Sequence, residues 1–354
     1  MPDAAPRDVA LGVLFDSVVA LGTGSVLAWL PPPDTVVSFP PGSSFSPSHL
    51  AVSADGVLAL RHARSCAVIL VDGVSGEQIG SIDDTCGTTG RGVSDLFWID
   101  LKHVGVFDMW AGEIRLFDRS GEPAGRFPVP AASGTILQAF AVDSGRAVLM
   151  SMGLPSGSVE LRDARSGALV SQFFSPPRIR DEVVHGNSYY SSVCVRQSGN
   201  AGPVDFLTIN HWVHEVYLVS TARPARAFRS FLPRESIFET AQDGEGLAPR
   251  GRAKVACGER HGLAHHSVIR REPGGAWSAD GVLDWISFDG TLIARFDLAT
   301  AAPTFARAWD IGVDDNGYAY GLVRENVTPM LVRDLATVTV TVIRQPLEAG
   351  GPHP

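Results

Sequence analysis

Glu113-Ile-Arg-Leu-Phe-Asp118, continued by Arg119-Ser120-Gly121 and then Glu122-Pro-Ala-Gly-Arg-Phe127, reads as a strand, a turn and a second strand. Ile114 and Leu116 fall on one face of an extended chain, and Asp118 stands where a carboxylate can bond the amides of its own turn. Ser-Gly then supplies a residue free to take positive φ. Working outward, the phrase recurs as Ala67-Val-Ile-Leu-Val-Asp72 with Ser75-Gly76, and as Val159-Glu-Leu-Arg-Asp163 with Ser166-Gly167. The three aspartates are spaced 46 and 45 residues apart. Variant copies follow in Val216-Tyr-Leu-Val-Ser220, in Leu283-Asp-Trp-Ile-Ser-Phe-Asp289 before Gly290, and in Met330-Leu-Val-Arg-Asp334. A period of about 45 residues is that of a four-stranded propeller blade.

The residues ahead of each marker support this spacing. Leu50 to Leu60 holds two apolar runs around Asp55-Gly56, Phe140 to Met150 repeats the pattern around Ser144-Gly145, and Ile311 to Tyr320 around Asn316-Gly317. Such dipeptides suit two-residue hairpins. Each unit is therefore four short strands, and the expected class is all-β: one propeller of four-stranded blades, spanning residues 1–347, with 348–354 a frayed tail.

The phrase at 113–127 resembles the NHL and YVTN type of propeller repeat, whose pattern is a DG hairpin, an I-x-V/L-F-D strand and a Gly turn. The resemblance implies a six-bladed TolB-like ring or a seven-bladed one. Proteins with such repeats include lyases, lactonases and peptide-binding modules, so it implies no single activity. Gly12 to Asp16, Val18 to Leu21, Ser25 to Leu30 and Thr35 to Phe39 can be read as a compressed seventh blade or as edge strands of a sixth. Either way, joining N- and C-terminal strands in one blade would close the ring, which removes an open sheet edge.

Composition narrows the functional classes. With 45% hydrophobic and 19% charged residues the chain can bury a large core. A formal charge of −9 argues against nucleic acid, and no apolar run is long enough for a membrane helix. The start lacks a leader pattern, so the expectation is a soluble bacterial protein, cytoplasmic as it stands or periplasmic or secreted after removal of a signal peptide. The Arg-rich, Lys-poor bias, with Lys102 and Lys254 the only lysines, reads as compositional background. Cys66, Cys86, Cys194 and Cys257 form no CxxC pair, so free thiols are expected, with Cys66 to Cys86 as one conceivable bridge.

No nucleophile elbow, zinc motif, P-loop or dinucleotide fingerprint occurs. Aligning the repeats instead places several aromatic, His and Arg residues on the face formed by the strand 2 to 3 and inter-blade loops. The candidate ligand-binding residues are Trp110, His185, Tyr189, Tyr190, His211, Trp212, His214, Arg250 and Arg252, off the central axis. His211, His214 and His185 are candidate ligands for zinc, and Asp100, Asp143 and Asp314 at strand ends could hold calcium or cap their own turns. His261, His265 and His266 read as half-exposed strand residues. From Arg223 to Arg271 ten basic residues face five acidic ones, which suggests a basic patch suited to an acidic partner. The expected function is non-catalytic recognition of a peptide, protein or small molecule; the alternative is a metal-dependent lyase or lactone hydrolase at the channel mouth.

Overall fold

The computed structural model describes residues 15–19, 30–63, 65–83, 95–130, 136–142, 146–152, 158–173, 191–197, 203–210, 215–223, 225–229, 250–271, 277–324 and 338–347. They form six sheets whose innermost strands follow one another around a ring, a six-bladed β-propeller. Blade I holds β3 (Pro47–Val52), β4 (Val57–His62), β5 (Val68–Asp72) and β6 (Gln78–Ile82). Blade II holds β7 (Asp95–Trp98), β8 (His103–Asp108), β9 (Glu113–Asp118) and β10 (Pro123–Pro128). Blade III comprises β11 (Ile136–Val142), β12 (Ala147–Met152), β13 (Val159–Asp163) and β14 (Leu169–Gln172). Blade IV has β15 (Ser191–Val195), β16 (Asp205–Asn210), β17 (Glu215–Ser220) and β18 (Ala225–Arg229). Blade V has β19 (Arg250–Cys257), β20 (His261–Arg271), β21 (Trp277–Ser287) and β22 (Leu292–Asp297).

Blade VI closes the ring. It runs outward through β23 (Ala308–Val313), β24 (Tyr318–Arg324) and β25 (Val340–Pro346), and its outermost strand is β2 (Asp34–Phe39) from the other end of the chain. The N-terminal strands therefore form no seventh blade: β1 (Phe15–Val19) lies parallel on the outer edge of β18, and β2 antiparallel on β25. The third strand of this blade is β25 and not Met330–Asp334, which falls outside the described residues. Val340, Val342 and Ile343 are all buried there, so the β-branched run at the C-terminal end supplies the strand.

The repeated Asp…Ser-Gly phrase builds the outer hairpin of blades I, II and III. Asp72 Oδ1 accepts from the amides of Val74 and Ser75 at 3.0 and 2.7 Å, and Asp118 Oδ1 from those of Ser120 and Glu122 at 2.8 and 3.0 Å. The glycine that follows does a second job. A Cβ on Gly76 would run into the Val36 carbonyl of β2, and one on Gly121 into the Ser81 carbonyl of β6. Each hairpin is thus pressed against the outer strand of the preceding blade, where only hydrogen fits.

Apolar layers fill the space between neighbouring blades, as with Phe97, Phe107, Phe140 and Phe206. His265 and His266 belong to this interior: both are fully buried rather than half-exposed, and the ring of His265 meets the Phe305 carbonyl at 2.9 Å. Cys194 and Cys257 form a disulfide between β15 and β19, contrary to the expectation of free thiols. The inner strands that carry them are 63 residues apart in sequence and meet only once blades IV and V pack together, so spacing alone conceals the pair. Cys66 is disulfide-bonded as well, while Cys86 lies outside the described residues.

Candidate functional site

The six inner strands surround an axial cavity of about 280 Å³, near the lower limit for a ligand pocket. Along each inner strand most residues are apolar and face the packing between blades. On each inner strand one polar residue interrupts that run and lines the cavity: His49 on β3, Asp95 on β7, Gln138 on β11, Ser192 on β15, Lys254 on β19 and Asp310 on β23; Asp100, His103, Arg196, Gln197 and Asp205, beyond the inner strands, also border it. In a six-fold ring a blade faces the one three places on, so Lys254 stands across the axis from Asp95, and Asp310 across from Gln138.

These groups also tie the ring together. Gln138 Nε2 donates to Asp95 Oδ2 at 2.8 Å, and its Oε1 accepts from the Val193 amide at 2.9 Å, joining blades II, III and IV. Ser192 Oγ accepts from the Val255 amide at 3.3 Å, Lys254 Nζ lies 3.7 Å from Asp310 Oδ1, and Asp310 Oδ2 accepts from the Leu50 amide at 2.9 Å. Trp98 Nε1 completes the belt by donating to the Ala51 carbonyl at 3.3 Å. Every junction between inner strands thus carries a polar bridge.

Burial sets the protonation of the belt. Asp95 is raised to about 6 because its charge is desolvated; the Lys254 ammonium, the Leu96 amide and Gln138 pull the other way. Desolvation lowers His49 to about 4, against the attraction of Asp310. Arg61 Nη1 lies 3.4 Å from His49 Nδ1, and a guanidinium can only donate. Nδ1 of the neutral ring is therefore the acceptor, and Nε2 carries the hydrogen.

Gln197, at the far end of β15, floors the cavity. Its Nε2 donates to the carbonyls of Val52 and Cys257 at 2.6 and 2.7 Å, while its Oε1 accepts from the Ala54 amide at 2.9 Å. The side chain thereby spans from blade IV to blades I and V and uses the hydrogen-bonding groups of its amide. Beneath it lies a second, more open cavity lined by Lys102 and Glu259 and by Asp100 and His103, which border both, with His103 Nδ1 3.0 Å from Asp100 Oδ2. The two lysines of the sequence therefore stand one in each axial cavity.

Of the residues singled out by repeat alignment, Trp110 is exposed in the turn between β8 and β9, outside both axial cavities. Arg250 and Arg252 belong to β19, pairing with Ile269 and Ser267, and their side chains are outside the described part. His185, Tyr189, Tyr190, His211, Trp212 and His214 lie outside the described residues, and with them the candidate zinc ligands. Asp100 and Asp314 cap their own turns: Asp100 Oδ1 accepts from the Lys102 and His103 amides, Asp314 Oδ1 from those of Asn316 and Tyr318. Asp143 is not described. Part of the basic segment is spent between blades, with Arg223 donating to the Phe288 carbonyl and Arg226 to that of Gly290.

The belt was missed because it has no motif: one residue per blade, at no fixed offset from the Asp-Gly marker. Its signal is a polar or charged residue breaking an apolar inner strand, and in Lys254 a residue type used only twice.

No family model matches the sequence, and no curated protein sequence matches it. Among solved structures the fold is similar to a member of the DUF4221 family from Bacteroides vulgatus, at 12% identity and a TM-score of 0.57, over 90% of this chain and 99% of that one. A putative exported protein from Bacteroides fragilis aligns over 91% and 94% of the two chains, with 10% identity and a TM-score of 0.46. Virginiamycin B lyase from Staphylococcus aureus aligns over 87% and 98%, with 7% identity and a TM-score of 0.43. At these identities the first likeness supports the propeller fold alone.

Proposed function

We propose that this chain is a recognition propeller that holds a small polar molecule in the axial cavity. The observation behind this reading is the convergence of six polar side chains, one from each inner strand, on a cavity that Gln197 floors. Such a site offers donors and acceptors on rigid strands, which favours binding because little order is lost when a ligand arrives. The rim proposed from repeat alignment, with Trp110, Arg250 and Arg252, belongs to the strand 2 to 3 and inter-blade face, and the belt sits near the starts of the inner strands at that same end. A ligand entering there would pass the rim before meeting the belt.

The test is a ligand-observed NMR screen of a fragment library on the wild-type protein and on Lys254→Trp, whose indole would occupy the lumen. Fragments whose signals transfer in the wild type and not in the variant support axial binding. Hits indifferent to Lys254→Trp refute it, as does the absence of any occupant in this screen and in the titrations described below.

One observation favours the alternative of a lyase or hydrolase. A carboxylate raised to about 6 and facing a cavity has the basicity of a general base at neutral pH, and Asp95 is such a group. Mass spectrometry of the bound fragments after incubation separates the readings: recognition returns them unchanged, whereas catalysis converts a substrate and loses that conversion in Asp95→Asn.

A further inference from the structure

We infer that the ligand of the axial cavity is a small zwitterion, with its anionic group on Lys254 and its cationic group on Asp95. This rests on the proposal that the cavity binds a small molecule, and it adds the charge pattern of that molecule.

The argument begins with what each charged group already holds. Asp95 accepts from the Leu96 amide at 2.9 Å and from Gln138 Nε2 at 2.8 Å, both neutral donors, while the Arg61 guanidinium and the Lys254 ammonium act on it through space, without an ion pair of contact length among the described residues. Each carboxylate oxygen keeps a second acceptor position. Lys254 Nζ reaches Asp310 only at 3.7 Å, beyond hydrogen-bond length, and its side chain is 35% exposed. Asp310 is held meanwhile by the Leu50 and Ile311 amides at 2.9 and 3.3 Å. The ammonium therefore retains donors for the lumen, and the carboxylate opposite retains acceptors.

The next step is what a ligand does to the pair. Any molecule filling the cavity displaces water from both groups. An anion would pair Lys254 and leave Asp95 desolvated with only the more distant Arg61 as counter-charge; an amine would pair Asp95 and leave Lys254 with only Asp310 at 3.7 Å. A neutral ligand would strip both. Leaving a buried charge unpaired is the expensive outcome in each case. Only a molecule with opposite charges at its two ends meets both sides, and placement on opposed blades calls for separated charges rather than a compact ion. His49 Nε2–H and Ser192 Oγ, also in the wall, supply neutral hydrogen-bonding groups along its length.

Isothermal titration with a short series of straight-chain ω-amino acids tests this, alongside carboxylates, amines and alcohols of matched length. The expected result is that one ω-amino acid binds at least about tenfold tighter than every matched single-charge or neutral probe. Lys254→Met should erase its advantage over the amine, and Asp95→Asn its advantage over the carboxylate. Circular dichroism on both variants confirms that the fold persists. Tighter binding by a carboxylate, amine or alcohol overturns the zwitterion and leaves axial recognition standing, as does binding only by unrelated fragments from the NMR screen. If neither the titrations nor that screen finds any occupant, axial recognition itself falls.

Discussion

His49 and Asp95 illustrate how single residues on one ring can offset each other. The folded chain resists protonating His49 until about pH 4, whereas the unfolded chain accepts that proton near 6.5, so stability falls as pH drops through this window. Asp95 works in reverse: the folded chain takes its proton near 6 and the unfolded chain near 3.8, so stability rises as pH falls from 6 to 4. The surrounding charges are Arg61, Lys254 and Asp310 for both His49 and Asp95. We predict that Asp95→Asn loses stability on acidification more steeply than the wild type, by up to about 1.4 kcal/mol per pH unit, and that His49→Gln loses it less steeply. Urea unfolding at intervals between pH 7 and 4 measures both slopes; parallel curves for all three proteins would refute the assignment. Glycines offer a second contrast. Gly121 has φ +90° and faces the Ser81 carbonyl, whereas Gly112 has φ +64° and open space. Gly121→Val should cost about 3 kcal/mol or more and Gly112→Ala about 1 kcal/mol, and equal shifts in the unfolding midpoint would contradict the packing argument.

At the scale of strands and hairpins, the legible features of the sequence are those whose physics is local. Asp118 and Gly121 announce a turn because the carboxylate and the positive φ act within four residues. Gln197 and the Cys194–Cys257 bridge could not be read, since the Gln197 partners on blade I meet it only in the closed ring and the two cysteines only once blades IV and V have packed together. For the same reason a polar residue such as Gln138 looks in sequence like an accident in an apolar strand. Two variants probe these long-range ties. Gln197→Leu strands the Ala54 amide and the carbonyls of Val52 and Cys257, for an expected loss of about 2 to 4 kcal/mol in urea unfolding. The Cys194→Ser/Cys257→Ser double variant opens a link spanning 63 residues and should lose about 4 kcal/mol on the chain-entropy model. No change in either midpoint would mean that the inner strands are held by apolar packing alone.

For the molecule as a whole, the six-fold count follows from where the first strands go. Their apolar runs suit a seventh blade as well as an edge, and only pairing with β18 and β25 decides it. The two N-terminal strands should differ in importance. Removing residues 1–20 takes away β1 and leaves the ring closed, so the melting temperature should change little. Removing 1–40 also deletes β2, exposing the edge of β25 and the pairing of Ser38 with Thr341 and of Asp34 with Arg344. That variant should lose cooperative melting or associate on size-exclusion chromatography, and equal tolerance of both truncations would contradict the closure described here. This arrangement also governs when the protein can finish folding on the ribosome. Phe39 pairs with Val340, so β2 is translated roughly 300 residues before its partner, a wait of about 15 to 60 s at ordinary elongation rates. During that interval β2 is an unmatched strand on the nascent chain, and the sixth blade cannot be completed until β25 has been made.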